Sequence, residues 1–291
     1  MLRQPLPKLY RTTHCVVKTW LNNTVRQLPI TISLICAVSC APQAIADTDG
    51  CETKTNLSVE ITKDQAALAL DWKRAIDQDK AEDLWRLMPH VDVLAVNDKG
   101  KTALMAAAKI GDRCLLDALL QQGLKVRDRS STGGTALMYA VLGNDPDMIA
   151  WLLPQTSNID AKSTNGWTAV MIAAAKGFDK AIARLVTSGA DPNIADVYQW
   201  SPLMRAIDNR HASVVNYLLS IKTLDVNNTN ENGSSSLHIA ATAGDIDTAR
   251  QLINLGIDTS LLDKNGFSAE KIAIEEGHSN IADLIRQSID Q

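Results

Sequence analysis

From residue 102 to the C-terminus, apolar and polar positions follow one another in blocks that recur every 33 or 34 residues. A Thr or Ser opens each block, at Thr102, Thr135, Thr168, Ser201, Ser235 and Ser268, with spacings of 33, 33, 33, 34 and 33. A short apolar stretch rich in alanine follows, as at Ala107-Ala108 and Ala173-Ala174. A second stretch carries paired apolar residues: Leu119-Leu120, Leu152-Leu153, Leu185-Val186, Leu218-Leu219 and Leu252-Ile253. This periodicity predicts two short helices per block. The opening Thr or Ser is a helix N-cap, because its oxygen accepts a bond from an otherwise unpaired backbone N–H. Pro202 sits directly behind its cap, where a missing N–H costs nothing. Gly111, Gly177, Gly244 and Gly277 end first helices, and Gly123, Gly189 and Gly256 end second ones. A chain built this way stacks its units into a solenoid, since one unit alone cannot bury its apolar face.

The copies read "KGKTALMAAAKIGD", "TGGTALMYAVLGND", "NGWTAVMIAAAKGF", "YQWSPLMRAIDNRH", "NGSSSLHIAATAGD" and "NGFSAEKIAIEEGH". Together with "GADPNIAD", Gly189 to Asp196, they resemble the ankyrin repeat over roughly residues 69–291. The resemblance implies an all-α solenoid of helix-turn-helix units joined by hairpin loops. Six repeats are expected at 98–130, 131–163, 164–196, 197–230, 231–263 and 264–291. Residues 62–97 keep helical spacing through Trp72, Ile76, Leu84, Trp85 and Leu87 without the motif, and read as a degenerate N-terminal capping repeat. The 34-residue step comes from "SIKTLDVNNTN", which lacks the glycine. In the last copy Glu270, Lys271 and Arg286 replace apolar residues, as a solvent-facing cap requires.

Charge divides the chain. Residues 1–46 contain no Asp or Glu and carry Arg3, Lys8, Arg11, Lys18 and Arg26. All 33 acids follow, against 24 of the 29 bases, so the remainder has a formal charge of −9. Such an acidic body argues against nucleic acid as a partner. The basic leader runs into "LPITISLICAVSCAPQAIA", an apolar run too short to cross a bilayer as a helix. Ala44-Ile45-Ala46 fits the small-x-small cleavage rule. Residues 1–46 therefore read as an export signal, 47–61 as a loose polar tail, and the mature protein as periplasmic or secreted. A mitochondrial transit peptide is the rival reading of the same acid-free leader. "AVSC", Ala37 to Cys40, resembles a bacterial lipoprotein box, and lipidation of Cys40 would instead anchor the protein to the envelope membrane. Cleavage after Ala46 leaves Cys51 and Cys114 of the five cysteines. They form either a disulfide in an oxidising compartment or two free thiols.

No nucleophile elbow, phosphate loop, dinucleotide fingerprint or zinc spacing occurs. The expectation is a non-enzymatic protein with no cofactor or metal, probing another protein as a monomer. His238 falls at the family's structural histidine position, and His211 and His278 follow first helices where the family often has histidine. His90 lies in a loop. Met105, Met138, Met171 and Met204 replace the structural histidine in four copies. Thioethers are soft metal ligands, but methionine at core spacing reads as packing.

Lys101, Trp167, Trp200 and Phe267 stand directly before caps, where the resemblance implies a hairpin finger on the binding side. Tyr198 shares the fourth finger with Trp200. The aromatic residues read either as a binding surface or as stiffeners of the fingers. Arg205 interrupts an apolar row beside Trp200, and its counter-charge is either a partner's carboxylate or Asp208, three residues on. Lys101, Trp167, Tyr198, Trp200, Arg205 and Phe267 are thus the expected partner-binding residues of an exported binding module. The alternatives are a membrane-tethered envelope lipoprotein with a structural role and an immunity-type protein that neutralises a toxin.

Overall fold

The computed structural model describes residues 64–289. Cys40, Cys51 and residues 1–46, on which the export reading rests, lie outside them. Fourteen α-helices occur among the described residues, with two short 3-10 turns and no strand. The first pair is α1 (Gln65–Gln78) and α2 (Ala81–Leu87). Six further pairs follow: α3 (Ala103–Ile110) and α4 (Arg113–Gln121), α5 (Ala136–Gly143) and α6 (Pro146–Leu152), α7 (Ala169–Lys176) and α8 (Asp179–Thr187). Then come α9 (Pro202–Asp208) and α10 (Ala212–Leu219), α11 (Ser236–Ala243) and α12 (Ile246–Asn254), α13 (Ala269–Glu275) and α14 (Ser279–Ile289).

The caps form as the sequence predicts. Thr102 accepts from the Met105 N–H at 3.2 Å, Thr135 from Met138 at 3.3 Å, and Thr168, Ser201 and Ser268 from Met171, Met204 and Lys271 at 3.2 Å each. First helices pack side by side in the order α3, α5, α7, α9, α11, α13, and second helices α6 to α14 form the outer layer. Alanine makes the inner layer thin. Ala106, Ala107, Ala140, Ala173, Ala206, Ala240 and Ala273 are all fully buried. Without larger side chains between them, adjacent helices approach closely, and a continuous core runs through the stack. Met105, Met138, Met171 and Met204 lie within this packing, none more than 3% exposed. Their thioethers are core groups.

The α1–α2 pair is tied by polar bonds to the loop that follows it and to the first repeat. Trp72 Nε1 donates to the Ala95 carbonyl at 3.2 Å, and Trp85 Nε1 to Asp112 Oδ2 at 3.0 Å. Asp112 also caps α4 by accepting from the Leu115 N–H at 2.9 Å. One carboxylate therefore both starts α4 and anchors α2.

Candidate partner-binding site

Each pair of helices is joined to the next by a finger built on one rule. Asn97, Ser130, Ser163, Asp196, Asn230 and Asp263 stand at finger bases, and each uses a side-chain oxygen to hold the N–H four residues on, at 2.8–3.0 Å. Each also donates its own N–H to the carbonyl of that same residue, at 2.9–3.1 Å. Neighbouring fingers are then laced together. Ser131, Thr164, Val197, Glu231 and Lys264 donate backbone N–H groups to Lys99, Thr132, Asn165, Tyr198 and Asn232 respectively, at 2.8–3.2 Å. The fingers are one hydrogen-bonded layer with little freedom to move independently.

Five finger tips turn through a glycine with positive φ, from 65° at Gly100 to 78° at Gly166. The fourth turns through Gln199 at φ 59°. A side chain in this region costs free energy that glycine avoids. The fourth finger also presents Val197 and Tyr198, each 53% exposed, where other fingers have polar residues.

Behind this tip, Arg205 on α9 lies between two indole rings. Its guanidinium carbon is 5.3 Å from the Trp167 ring centre and 4.5 Å from that of Trp200. Its Nη2 donates to Asp196 Oδ2 at 2.6 Å, and the Asp196 side chain is completely buried. Asp196 Oδ1 meanwhile holds the N–H groups of Tyr198 and Trp200, at 2.9 Å each. One carboxylate thus shapes the finger and fixes the cation. Asp208 is not the counter-charge of Arg205, despite its helical spacing. The finger folds back over the start of α9 and brings Asp196 closer, nine residues upstream.

Lys101 departs from the binding expectation. It is 5% exposed, and its ammonium donates to the Ile76 carbonyl at 2.9 Å and to Asp79. Lys109 reaches the other Asp79 oxygen at 2.7 Å. Burial lowers the Lys101 pKa, with the Asp79 carboxylate opposing that shift. These lysines join α1 to the first repeat. Phe267 is half-buried, with the Lys271 ammonium 3.6 Å above its ring centre. Of the six expected residues, the structure gathers Trp167, Tyr198, Trp200 and Arg205 in one place. Val197 belongs beside them and was missed, although it breaks the polar pattern of the tips.

The family model for ankyrin repeats, in three copies, matches residues 73–163, 143–230 and 221–291. The chain belongs to the ankyrin-repeat family. Ankyrin repeats are in general protein–protein interaction modules. The chain is similar to palmitoyltransferase AKR1 of Debaryomyces hansenii, 28% identical over 109 residues, which are 35% of this chain and 13% of that relative's length. It is also similar to the crystal structure of an ankyrin repeat domain from Acinetobacter baumannii AYE, at 26% identity and a TM-score of 0.58, covering 64% of this chain and 96% of that one.

Two of the histidines, His211 and His238, link neighbouring repeats. His211 Nε2 lies 3.1 Å from the Ala175 carbonyl of the preceding repeat. His238 Nδ1 accepts from the Ser235 N–H at 3.2 Å and lies 2.8 Å from the Ser235 hydroxyl, so Nε2 carries the proton that reaches the Phe267 carbonyl at 3.1 Å. Burial lowers the His238 pKa below its ordinary 6.5, against the backbone bond to Phe267. A depressed histidine contributes stability that is complete above its unfolded value and lost as pH falls through the folded one. The melting-temperature advantage of wild type over His238→Met should therefore shrink from about pH 7.5 to about pH 5. A constant difference across that range would show that His238 does not titrate on unfolding.

Proposed function

We propose that this protein is an exported ankyrin module that binds another protein through its fingers, centred on the fourth, without performing chemistry. The observation that carries this reading is the tip of that finger. Val197 and Tyr198 are half exposed and serve the finger layer only through their backbones. Exposed aromatic and aliphatic groups on a rigid support are the usual anchors of protein recognition. Trp167, Arg205 and Trp200 form that support.

Export is read from the acid-free leader and the Ala44-Ile45-Ala46 site. Cys114 is disulfide-bonded, and every other cysteine lies at or before Cys51. A disulfide suits an oxidising compartment, and Cys51 is its partner in this reading. A purified protein that still carries residues 1–39, or a Cys114 thiol that alkylates without reductant, refutes the export and pairing readings respectively.

The binding test compares wild type with Val197→Ser/Tyr198→Ser as affinity baits in an envelope fraction. Both side chains are exposed, so the variant should unfold at the wild-type temperature within ~2 °C, since surface substitutions cost little. A partner bound by wild type should bind the variant at least ~10-fold more weakly, the cost of losing a hot-spot anchor. Equal capture by both baits refutes the finger site.

A further inference from the structure

The fourth finger and its support have an uneven supply of hydrogen-bonding groups. Trp72 and Trp85 give their indole N–H groups to internal acceptors. Trp167 and Trp200 have no such acceptor among the described residues. Their indole nitrogens are not sealed in the interior either, because the one buried side-chain polar atom without a partner there is Arg205 Nε. The Tyr198 hydroxyl is likewise unbonded on a half-exposed side chain. Arg205 donates to Asp196 through Nη2 alone, leaving Nη1 to point elsewhere. On the acceptor side, the cluster's carboxylate is fully engaged, with Asp196 bonded to two backbone N–H groups and to Arg205. The backbone carbonyls are engaged too, Trp200 with Asp196, Trp167 with Ser163 and Tyr198 with Glu231. The cluster is therefore aromatic and rich in donors, while its carboxylate and the carbonyls of Trp167, Tyr198 and Trp200 are already bonded.

Charge narrows the occupant. Asp196 neutralises Arg205 at 2.6 Å, so a carboxylate arriving here would meet no net positive charge while losing its own water. A neutral acceptor loses far less. A chain segment with strong carbonyl acceptors and few N–H groups fits best, and proline supplies that, because its amide has no N–H. The spacing agrees. The Trp167 and Trp200 ring centres both lie close to one guanidinium carbon, at 5.3 and 4.5 Å, so they stand within about 10 Å of each other. One turn of a polyproline II helix advances about 9 Å. Aromatic-lined surfaces with free donors are a general means of binding such segments, whose extended form is already ordered before binding.

Resting on the protein-binding reading above, we propose that the fourth finger binds a proline-containing extended segment, which lays its carbonyls on the indole, phenol and guanidinium donors. The probe is an acetylated and amidated decaproline peptide. A glycine/serine peptide of equal length and an acidic peptide are the controls. Binding is followed by the indole N–H resonances of the full chain, assigned with Trp167→Phe and Trp200→Phe. Decaproline should shift the Trp167 and Trp200 signals and leave Trp72 and Trp85 in place. Tyr198→Ser should weaken binding about 10-fold. Trp200→Phe keeps a ring but loses a donor, and should weaken it by several fold. Equal binding of the glycine/serine peptide, preference for the acidic peptide, or no shift at Trp167 and Trp200 overturns the proposal. If decaproline fails while a captured protein still depends on Val197 and Tyr198, the partner class is wrong and the finger site stands. If that dependence fails as well, both readings fall.

Discussion

Gly143→Ala will destabilise the protein by about 1–3 kcal/mol, the range of overpacked sites, although every local rule favours the change. Gly143 is the last residue of α5, it is exposed, and it has an ordinary helical backbone. Alanine in a helix is better than glycine by about 0.5–1 kcal/mol. The obstacle is the neighbouring helix. A Cβ on Gly143 would lie 2.1 Å from the Lys109 carbonyl oxygen and 2.9 Å from its carbon. Both atoms are backbone, so no rotamer change relieves the overlap, and either α5 or α3 must shift. The end of α3 is not free to do so, because the Lys109 side chain is bonded to Asp79 on the preceding helix pair. Chemical denaturation of wild type and Gly143→Ala decides the matter. A variant as stable as wild type, or more stable, would show that the two helix ends separate at no cost. Gly123→Ala is the control for left-handed backbone alone, since a Cβ there meets nothing within 4 Å while φ is 100°. It should cost about 1–2 kcal/mol, the penalty for a side chain in that region.

The same contrast between local rule and neighbour explains what the sequence reveals. The caps were legible because Thr102 and its counterparts act on residues three positions away, so spacing alone identifies them. The inner layer was legible because alanine recurs at fixed places in each copy. The finger bases are equally legible. Asn97, Ser130, Ser163, Asp196, Asn230 and Asp263 keep the repeat's own spacing and have side chains that favour turns. Lys101 was not legible. Its acceptors are the Ile76 carbonyl and Asp79, in a helix pair that lacks the repeat motif, so no register predicts the contact. Arg205 fell between these cases. Helical spacing nominates Asp208, but spacing along one helix says nothing of a finger that folds back over it. What makes the fourth finger distinct, the side chain at Gln199 and the apolar pair before it, is written in the sequence as a departure from the other five copies. Its meaning depends on Arg205 and Asp196 being locked together behind it.

That lock predicts the largest effect of any single substitution at the site. Asp196→Ala should cost on the order of 3–5 kcal/mol, the usual consequence of removing one partner of a buried ion pair. The carboxylate is completely buried and accepts three bonds, from Tyr198, Trp200 and Arg205. Its loss leaves two turn N–H groups and a guanidinium without acceptors, in a place where Arg205 Nε already has none. Asp196→Asn separates the two roles. The amide oxygen still holds the finger N–H groups, as Asn97 and Asn230 do in their own fingers, but the counter-charge is gone. That variant should fall between wild type and Asp196→Ala. Combining Asp196→Asn with Arg205→Leu removes the orphaned charge, and the double variant should be more stable than Asp196→Asn alone, because apolar replacement of a buried pair is often neutral. Denaturation followed by tryptophan fluorescence reports on the site directly, since Trp167 and Trp200 flank the arginine. A loss below ~1 kcal/mol for Asp196→Ala would place the pair among exposed salt bridges of little worth. It would also remove the rigid support on which the fourth finger's binding role depends. Adding Arg205→Leu to Asp196→Asn with no recovery would show that Arg205 holds the two indoles in place through packing, whatever its charge state.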